Sequence, residues 1–145
     1  MMNCLMCKDK NEYSWLKIKE GTFWTVSLRN EQNYLGWCVV ILKRHLEDLM
    51  DISDEERTEL FLIVKQLRDV IQEQLKADMF NYASLGNVSN HLHLQVVPRY
   101  REEVMFEGAT FADKNWGKNY SPYDKTFTVP KAVKQKIKEV IQKNI

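Results

Sequence analysis

A short run of alternating residues restricts the fold of this chain more than any other segment. His91, His93 and Gln95 alternate with apolar residues, and Pro98 follows them. Because successive side chains of a β-strand point to opposite faces, the three polar side chains share one face, about 7 Å separating each i, i+2 pair. Proline has no backbone N–H to donate, so it is expected to end the strand. The run therefore predicts a strand with one packed face and one polar face.

Two patterns upstream of this run predict a hairpin and a long helix. Residues 23–28 and 38–42 are rich in aromatic and β-branched types, and a polar stretch with Gly36 separates them, as in an antiparallel hairpin. Ser53 is followed three residues later by Glu56, which is a capping-box signature. Apolar residues then recur at helical spacing. We expect an amphipathic helix that ends near residue 77.

The second half of the chain completes an α+β prediction. Residues 81–85 suggest another strand, Gly86 and Asn87 a turn, and residues 99–128 a loop-rich covering segment without clear period. A short C-terminal helix is marked by four apolar residues, Val133, Ile137, Val140 and Ile141. We predict one domain over residues 1–145, with an antiparallel sheet of about five strands, one long helix and a C-terminal helix.

Composition narrows the range of partners. The 145 residues include 44% hydrophobic and 28% charged types, and the formal net charge is +1. Such a balance lacks the clustered basic footprint of a protein that binds nucleic-acid phosphates. The chain has no signal-peptide pattern and no apolar run long enough to span a bilayer. We therefore expect a cytoplasmic protein without a nucleic-acid or membrane partner.

The histidines are the candidate reactive groups. The chain has three histidines, and two of them stand on the alternating strand, directly after the polar 86–90 turn. A turn of this kind can present backbone N–H groups to a phosphate, and a neutral imidazole is a competent nucleophile near pH 7. The alternative is a half-buried strand whose histidines merely face water. The strand alone leaves both interpretations open.

Four segments together resemble the signature of the histidine-triad (HIT) superfamily. They are residues 81–87 (NYASLGN) and 91–100 (HLHLQVVPRY), and upstream residues 30–36 (NEQNYLG) and 41–45 (ILKRH). The resemblance covers roughly residues 4 to 100. It implies a HIT-like fold, a nucleotide substrate and a homodimer.

The resemblance also implies a mechanism. In that superfamily the middle histidine attacks the α-phosphorus of a nucleotide and forms a covalent nucleotidyl-histidine, and His93 occupies the matching position. The amides of Gln95 and Asn87 and N–H groups of the 86–89 turn, which includes Ser89, are candidate donors to the phosphoryl oxygens. Asn30 stands where many members have an acidic residue that binds the ribose hydroxyls.

Gln95 departs from the usual pattern, since most members carry a third histidine at its position. An amide cannot act as a general acid, so we expect phosphoanhydride substrates over phosphoramidates, whose amine leaving group needs a proton. Hydrolysis of dinucleoside polyphosphates is the leading hypothesis. The His-x-His-x-Gln strand is also similar to that of galactose-1-phosphate uridylyltransferases and dinucleoside polyphosphate phosphorylases, which favours transfer to a phosphate or sugar-phosphate acceptor. A nucleotide sensor with negligible turnover is a third candidate.

The uridylyltransferase branch further implies a structural zinc ion. Its members hold the ion through a C-x-x-C, a distant histidine and the first histidine of the strand, which are here Cys4, Cys7, His45 and His91. Two thiolates and two imidazoles make a closed tetrahedral set. Two alternatives stay open, namely free thiols on a frayed terminus and a metallohydrolase whose ion activates water. Cys38 is expected to be a buried, inert thiol.

Overall fold

The helices and strands occur in an order that alternates sheet and helix. The structure is a computed structural model that describes residues 3–8 and 12–145. Its helices are α1 (Leu5–Lys8), α2 (Asp54–Leu75) and α3 (Lys131–Asn144), with 3-10 turns at Ser14–Leu16 and Leu49–Asp51. Its strands are β1 (Lys17–Glu20), β2 (Trp24–Leu28), β3 (Cys38–Leu42), β4 (Met79–Ala83), β5 (His93–Arg99), β6 (Val104–Phe106) and β7 (Ala109–Phe111).

A five-stranded antiparallel sheet forms the centre of the fold, in the order β1-β2-β3-β5-β4. The predicted α+β class, the five-stranded sheet, the long helix and the C-terminal helix are confirmed. The sequence patterns did not identify β1, which is an edge strand of four residues. They also missed the small β6–β7 hairpin inside the expected loop region.

The prediction that Pro98 ends its strand is wrong. Pro98 pairs with Phe80 of β4, and β5 continues to Arg99. The pairing of β5 with β3 ends at Val96, so Pro98 has a neighbouring strand on one side only. A residue without an N–H is tolerated where the sheet is open on one side. The predicted start at His91 is also too early, because β5 begins at His93.

Helices α2 and α3 pack on one face of the sheet and build the main core. The predicted capping box is present, since the Ser53 hydroxyl accepts from the Glu56 N–H and the Glu56 carboxylate accepts from the Ser53 N–H. The core side of the sheet includes fully buried Trp24, Val26 and Cys38. Burial raises the pKa of the Cys38 thiol, as expected of an inert cysteine. Among the described residues, no helix has both the length and the apolarity needed to cross a membrane.

The opposite face of the sheet, here called the open face, carries the polar residues of the alternating strand. Strand pairing aligns residues in rows across β2, β3 and β5, one row holding Thr25, Ile41 and His93 and the next Ser27, Val39 and Gln95. Directly paired residues of neighbouring strands point to the same face. The first row is half-buried, whereas Val39 and Gln95 are buried. The open face is therefore most accessible around His93.

Residues 113–124, here called the cover segment, close the other end of the open face. Arg99 of β5 is buried and bonds to both carboxylate oxygens of Asp113, at 2.7 and 3.1 Å. Its guanidinium also donates to Asn81 and to the Asn115 carbonyl. A buried ion pair is tolerated when further hydrogen bonds satisfy its remaining groups, as they do here. The predicted covering role thus has a defined anchor. That residues 1–145 make one domain stays a prediction.

Candidate active site and metal-binding cluster

His93 lies on the open face with its ring oriented by the backbone. Its Nδ1 is 2.7 Å from the carbonyl oxygen of His91. A carbonyl oxygen only accepts, so Nδ1 carries the proton and donates, and Nε2 keeps its lone pair. The side chain is half-buried. The local backbone therefore selects the tautomer in which Nε2 is the nucleophilic atom.

Gln95 lies beside His93 on the same face and is 7% exposed. Its Oε1 accepts a hydrogen bond of 2.8 Å from the indole Nε1 of Trp37. This bond orients the amide, so its NH2 group is the end that can donate to a ligand. The sequence patterns assign Trp37 no role. Only the pairing of β3 with β5 reveals its position, because 58 residues separate Trp37 from Gln95.

The other predicted nucleotide-binding residues are less closely grouped. Asn30 follows β2, and its Oδ1 accepts from Nζ of Lys134 on α3 at 2.9 Å. Asn87 is exposed and Ser89 half-buried in the loop between β4 and β5, where Gly86 has a φ of 65°. Within the described part of the chain, the Asn87 and Ser89 side chains make no hydrogen bond. Their roles and that of Asn30 stay predictions.

Cys4, Cys7, His45 and His91 form one cluster. Their ligand atoms all lie within 4.8 Å of one another. Cys7 Sγ is 3.5 Å from Nδ1 of His45 and 3.4 Å from Nδ1 of His91, and Cys4 Sγ is 3.5 Å from Nδ1 of His91. A tetrahedral zinc ion at usual bond lengths separates its sulfur and nitrogen ligands by about 3.6 Å. The cluster thus has the spacing that a metal ion of this kind requires.

The ring nitrogens outside the cluster are also partnered. Nε2 of His91 is 2.7 Å from the Leu42 carbonyl, so it donates and leaves Nδ1 unprotonated. Nε2 of His45 lies 3.5 Å from Oε1 of Glu47. Burial lowers the pKa of His91, and the neighbouring His45 and His93 add to this effect. Metal-binding histidines commonly have such an outer partner, which fixes the tautomer.

The metal-binding cluster and His93 share one residue. The ring of His91 points into the cluster, while its backbone carbonyl accepts from His93. The backbone N–H of the adjacent Leu92 donates to the Leu46 carbonyl at 2.6 Å, and the Leu92 carbonyl accepts from the Leu42 N–H at 3.2 Å. The peptide that orients His93 is therefore held by Leu46 through its N–H, and the next peptide is held by Leu42 through its carbonyl.

Two known proteins are similar to this chain in sequence. Protein hit of Bacillus subtilis (strain 168) is 26% identical over 128 residues, which are 84% of this chain and 86% of that protein. The bis(5'-adenosyl)-triphosphatase of Dictyostelium discoideum is 27% identical over 95 residues, which are 59% of this chain. The chain spans 64% of the length of that enzyme.

A solved structure gives the same fold. The Zn-bound histidine triad family protein from Mycobacterium smegmatis superposes with a TM-score of 0.69 at 21% identity, over 99% of this chain and 93% of that one. The model of the HIT domain matches residues 22–102, which is more than half of the chain. This protein therefore belongs to the HIT domain family.

Proposed function

We propose that this protein hydrolyses a nucleoside phosphoanhydride through a covalent nucleotidyl-histidine on His93. The observation that carries the proposal is the 2.7 Å hydrogen bond from His93 Nδ1 to the His91 carbonyl. It leaves the Nε2 lone pair available on the accessible part of the open face. Membership of the HIT family, which includes nucleotide hydrolases, supports the same reaction class.

The reaction proceeds by two displacements. First, Nε2 of His93 attacks the α-phosphorus, a P–N bond forms, and the P–O bond to the leaving phosphate breaks with its electron pair on the departing oxygen. The imidazolium that forms keeps its Nδ1 proton, which stays hydrogen bonded to the His91 carbonyl. Then a water oxygen attacks the same phosphorus, the P–N bond breaks towards Nε2, and one water proton is released to solvent. The Gln95 amide donates to a phosphoryl oxygen in both steps, with Asn87 and Ser89 as further donors.

The leaving group follows from the chemistry of Gln95. A carboxamide has no proton to transfer near neutral pH, and Trp37 already occupies its oxygen. A phosphate or nucleotide can depart as an anion, whereas an amine must be protonated. The Dictyostelium discoideum relative is named for the hydrolysis of a dinucleoside triphosphate, which supports this substrate class.

Transfer to a phosphate-bearing acceptor is the second candidate function, and Gln95 is again the observation that favours it. Water must lose a proton to become a good nucleophile, and an amide cannot accept one. An oxygen of inorganic phosphate or of a sugar phosphate is already anionic. Phosphorolysis or nucleotidyl transfer, as in the uridylyltransferase branch, would then replace hydrolysis in the second displacement.

A structural zinc ion is the cofactor we propose for the cluster. Cys4, Cys7, His45 and His91 would fill all four positions of a tetrahedral ion and leave none for a reacting water. The ion would contribute folding free energy by holding α1 against the residues that precede β5. The zinc in the Mycobacterium smegmatis protein supports this choice of metal.

We also propose that the protein forms a homodimer. A groove of about 600 Å³ lies along α2, and its lining includes Phe61, Tyr82 and Leu94. Phe61 is 71% exposed, and β4, which carries Tyr82, is an edge strand with an unpaired side. Exposed apolar surface next to a free sheet edge is typical of an interface.

Replacing His93 with alanine is expected to abolish the covalent intermediate. The wild-type protein, incubated with diadenosine triphosphate and quenched in alkali, should gain the mass of one adenylyl group, whereas His93→Ala should not. Turnover should fall on the order of a thousandfold or more, because the nucleophile is absent. Intact-mass spectrometry and product chromatography measure both quantities. Nucleotide binding by the wild type without adduct or product would contradict the proposal and favour a sensor.

The acceptor and leaving-group preferences can be read from the products. We expect diadenosine triphosphate to be cleaved at least about tenfold faster than adenosine 5'-phosphoramidate. In ¹⁸O-labelled water, hydrolysis of diadenosine triphosphate yields labelled AMP and one unlabelled ADP, whereas phosphorolysis with inorganic phosphate yields two unlabelled ADP and no AMP. Label in AMP at all phosphate concentrations excludes the transferase alternative. A preference for the phosphoramidate contradicts the role given to Gln95.

Zinc content is expected to depend on Cys4 and Cys7 and not on Cys38. The purified protein is expected to hold about one zinc ion per chain, and Cys4→Ser or Cys7→Ser should lose it and melt at a lower temperature. Cys38→Ala is the matched control, since Cys38 lies in the core and outside the cluster. Elemental analysis and thermal denaturation test this. Equal zinc content in all variants would refute the site.

Two matched charge insertions test the dimer. Phe61→Glu places a charge on the α2 surface, and Met105→Glu places one on the β6–β7 hairpin, where the parent residue is equally exposed at 70%. Light scattering after size exclusion should give a dimer mass for the wild type and Met105→Glu, and a monomer mass for Phe61→Glu. A wild-type monomer, or a Phe61→Glu dimer, contradicts the proposed interface.

A further inference from the structure

Arg29 is a cationic residue of the open face for which the proposed reaction has no use. It directly follows β2, and its backbone N–H donates to the Trp37 carbonyl at 2.9 Å. Its guanidinium carbon lies 4.6 Å from the centroid of the Trp37 ring. The same indole bonds to Gln95. A chain of direct contacts thus links Arg29 to the residues beside His93.

The hydrogen bonds of Arg29 leave part of its guanidinium unused. Its Nη2 donates to Glu31 at 2.9 Å and to the Tyr123 hydroxyl at 3.3 Å. Its Nε is buried and has no partner, and it is the only such side-chain nitrogen among residues 3–8 and 12–145. Buried donors in folded proteins are almost always satisfied. The hydrogen-bonding capacity of Arg29 is therefore not used up within the described residues, and 24% of its side chain is exposed, so a ligand can reach the guanidinium.

The charges around Arg29 allow an anion to bind. Lys134 of α3 lies close by, with its Nζ on the side chain of Asn30. Among the residues that the structure describes, Glu31 is the one carboxylate bonded to Arg29, and its side chain is 43% exposed. An ion pair this exposed contributes little and exchanges readily. A guanidinium binds phosphate through two parallel N–H bonds, and exchange of the exposed Glu31 frees Nη2 to form such a pair with Nη1.

The sheet register gives the distance from Arg29 to His93. The rows of the open face are about 7 Å apart along the strands, and neighbouring strands are about 4.8 Å apart. His93 and Gln95 belong to successive rows, and Arg29 pairs with Trp37 one row beyond. Two rows along the strands and two strands across the sheet put the Cα atoms of Arg29 and His93 about 17 Å apart, and the guanidinium leans over Trp37, which shortens the gap between the side chains. The guanidinium is thus too far to contact the reacting phosphorus.

We infer that Arg29 binds a second phosphate group of the reaction, remote from the phosphorus that His93 attacks. This inference rests on the proposed function. The second phosphate belongs either to the departing part of the phosphoanhydride or to the acceptor, since both have the same chemistry. Arg29 is a specificity residue in this scheme, because it distinguishes substrates that carry this phosphate from those that do not.

The test compares substrates with and without a remote phosphate. Arg29→Met keeps an apolar stem on Trp37 and removes the charge. For Arg29→Met, we expect the KM for diadenosine triphosphate to rise about tenfold with little change in kcat, as for the loss of a charge-assisted hydrogen bond. The kcat/KM for adenosine 5'-phosphoramidate should stay at the wild-type value. Arg101→Met is the matched control, since Arg101 also lies over a tryptophan, Trp116, at 5.5 Å.

Two further measurements identify the phosphate and keep the test independent of turnover. A raised KM for inorganic phosphate as co-substrate assigns Arg29 to the acceptor, whereas a raised KM for diadenosine triphosphate alone assigns it to the departing group. Calorimetric titration with pyrophosphate, in a His93→Ala background, should show about tenfold weaker binding for Arg29→Met. Equal pyrophosphate affinity, or an equal rise of KM for the phosphoramidate, overturns the inference. Failure of the proposed function appears separately, as a missing adduct in the wild type.

Discussion

The position of one peptide unit, that of His91, determines the arrangement of both candidate sites. The backbone carbonyl of His91 accepts from Nδ1 of His93 at 2.7 Å. Nδ1 of the His91 ring lies 3.4 Å from Cys7 Sγ and 3.5 Å from Cys4 Sγ. A hydrogen bond of this length fixes both the ring tautomer and the ring orientation. Any displacement of His91 would therefore disturb the cluster of cysteines and histidines and the His93 imidazole together. We expect the cluster to act on the reaction through this peptide, as a positioning element.

The cover segment imposes a second constraint on the open face. Its anchor, the pair of Arg99 and Asp113, is buried and fully hydrogen bonded, so breaking it would leave a charge uncompensated in the interior. The covered end of the face holds buried Trp37 and Val97, and the accessible end holds His93. A ligand can thus reach the imidazole from solvent, whereas protein covers Trp37 and Val97, and Arg29 beside Trp37 keeps 24% of its side chain exposed. This asymmetry gives a bound nucleotide one defined direction.

Local sequence patterns predicted the structural features that depend on short stretches of chain. The remaining features depend on contacts between segments far apart in the sequence. Alternation alone places His93 and Gln95 on one face, and the capping box marks the start of α2. The position of Pro98 inside β5 depends on where β3 stops, which no local pattern records. Likewise, Lys134 bonds to Asn30 across 104 residues, because α3 packs beside the end of β2. The family resemblance predicted that four residues belong to one site, namely Cys4, Cys7, His45 and His91. Their spacing in the sequence alone does not indicate this.

In the proposed reaction, Gln95 stabilises a leaving group differently from the third histidine that most family members have at this position. With a histidine at this position, a proton can follow the departing atom, whereas the amide offers only a hydrogen-bond donor. The Trp37 indole fixes that donor and carries Arg29 on its ring. In the proposed reaction the leaving group departs as an anion, and the Arg29 guanidinium, which follows Trp37 in this chain of contacts, supplies a positive charge that attracts anionic phosphate groups. The loss of a proton donor and the presence of a cation are therefore two parts of one electrostatic arrangement, suited to substrates that leave as anions.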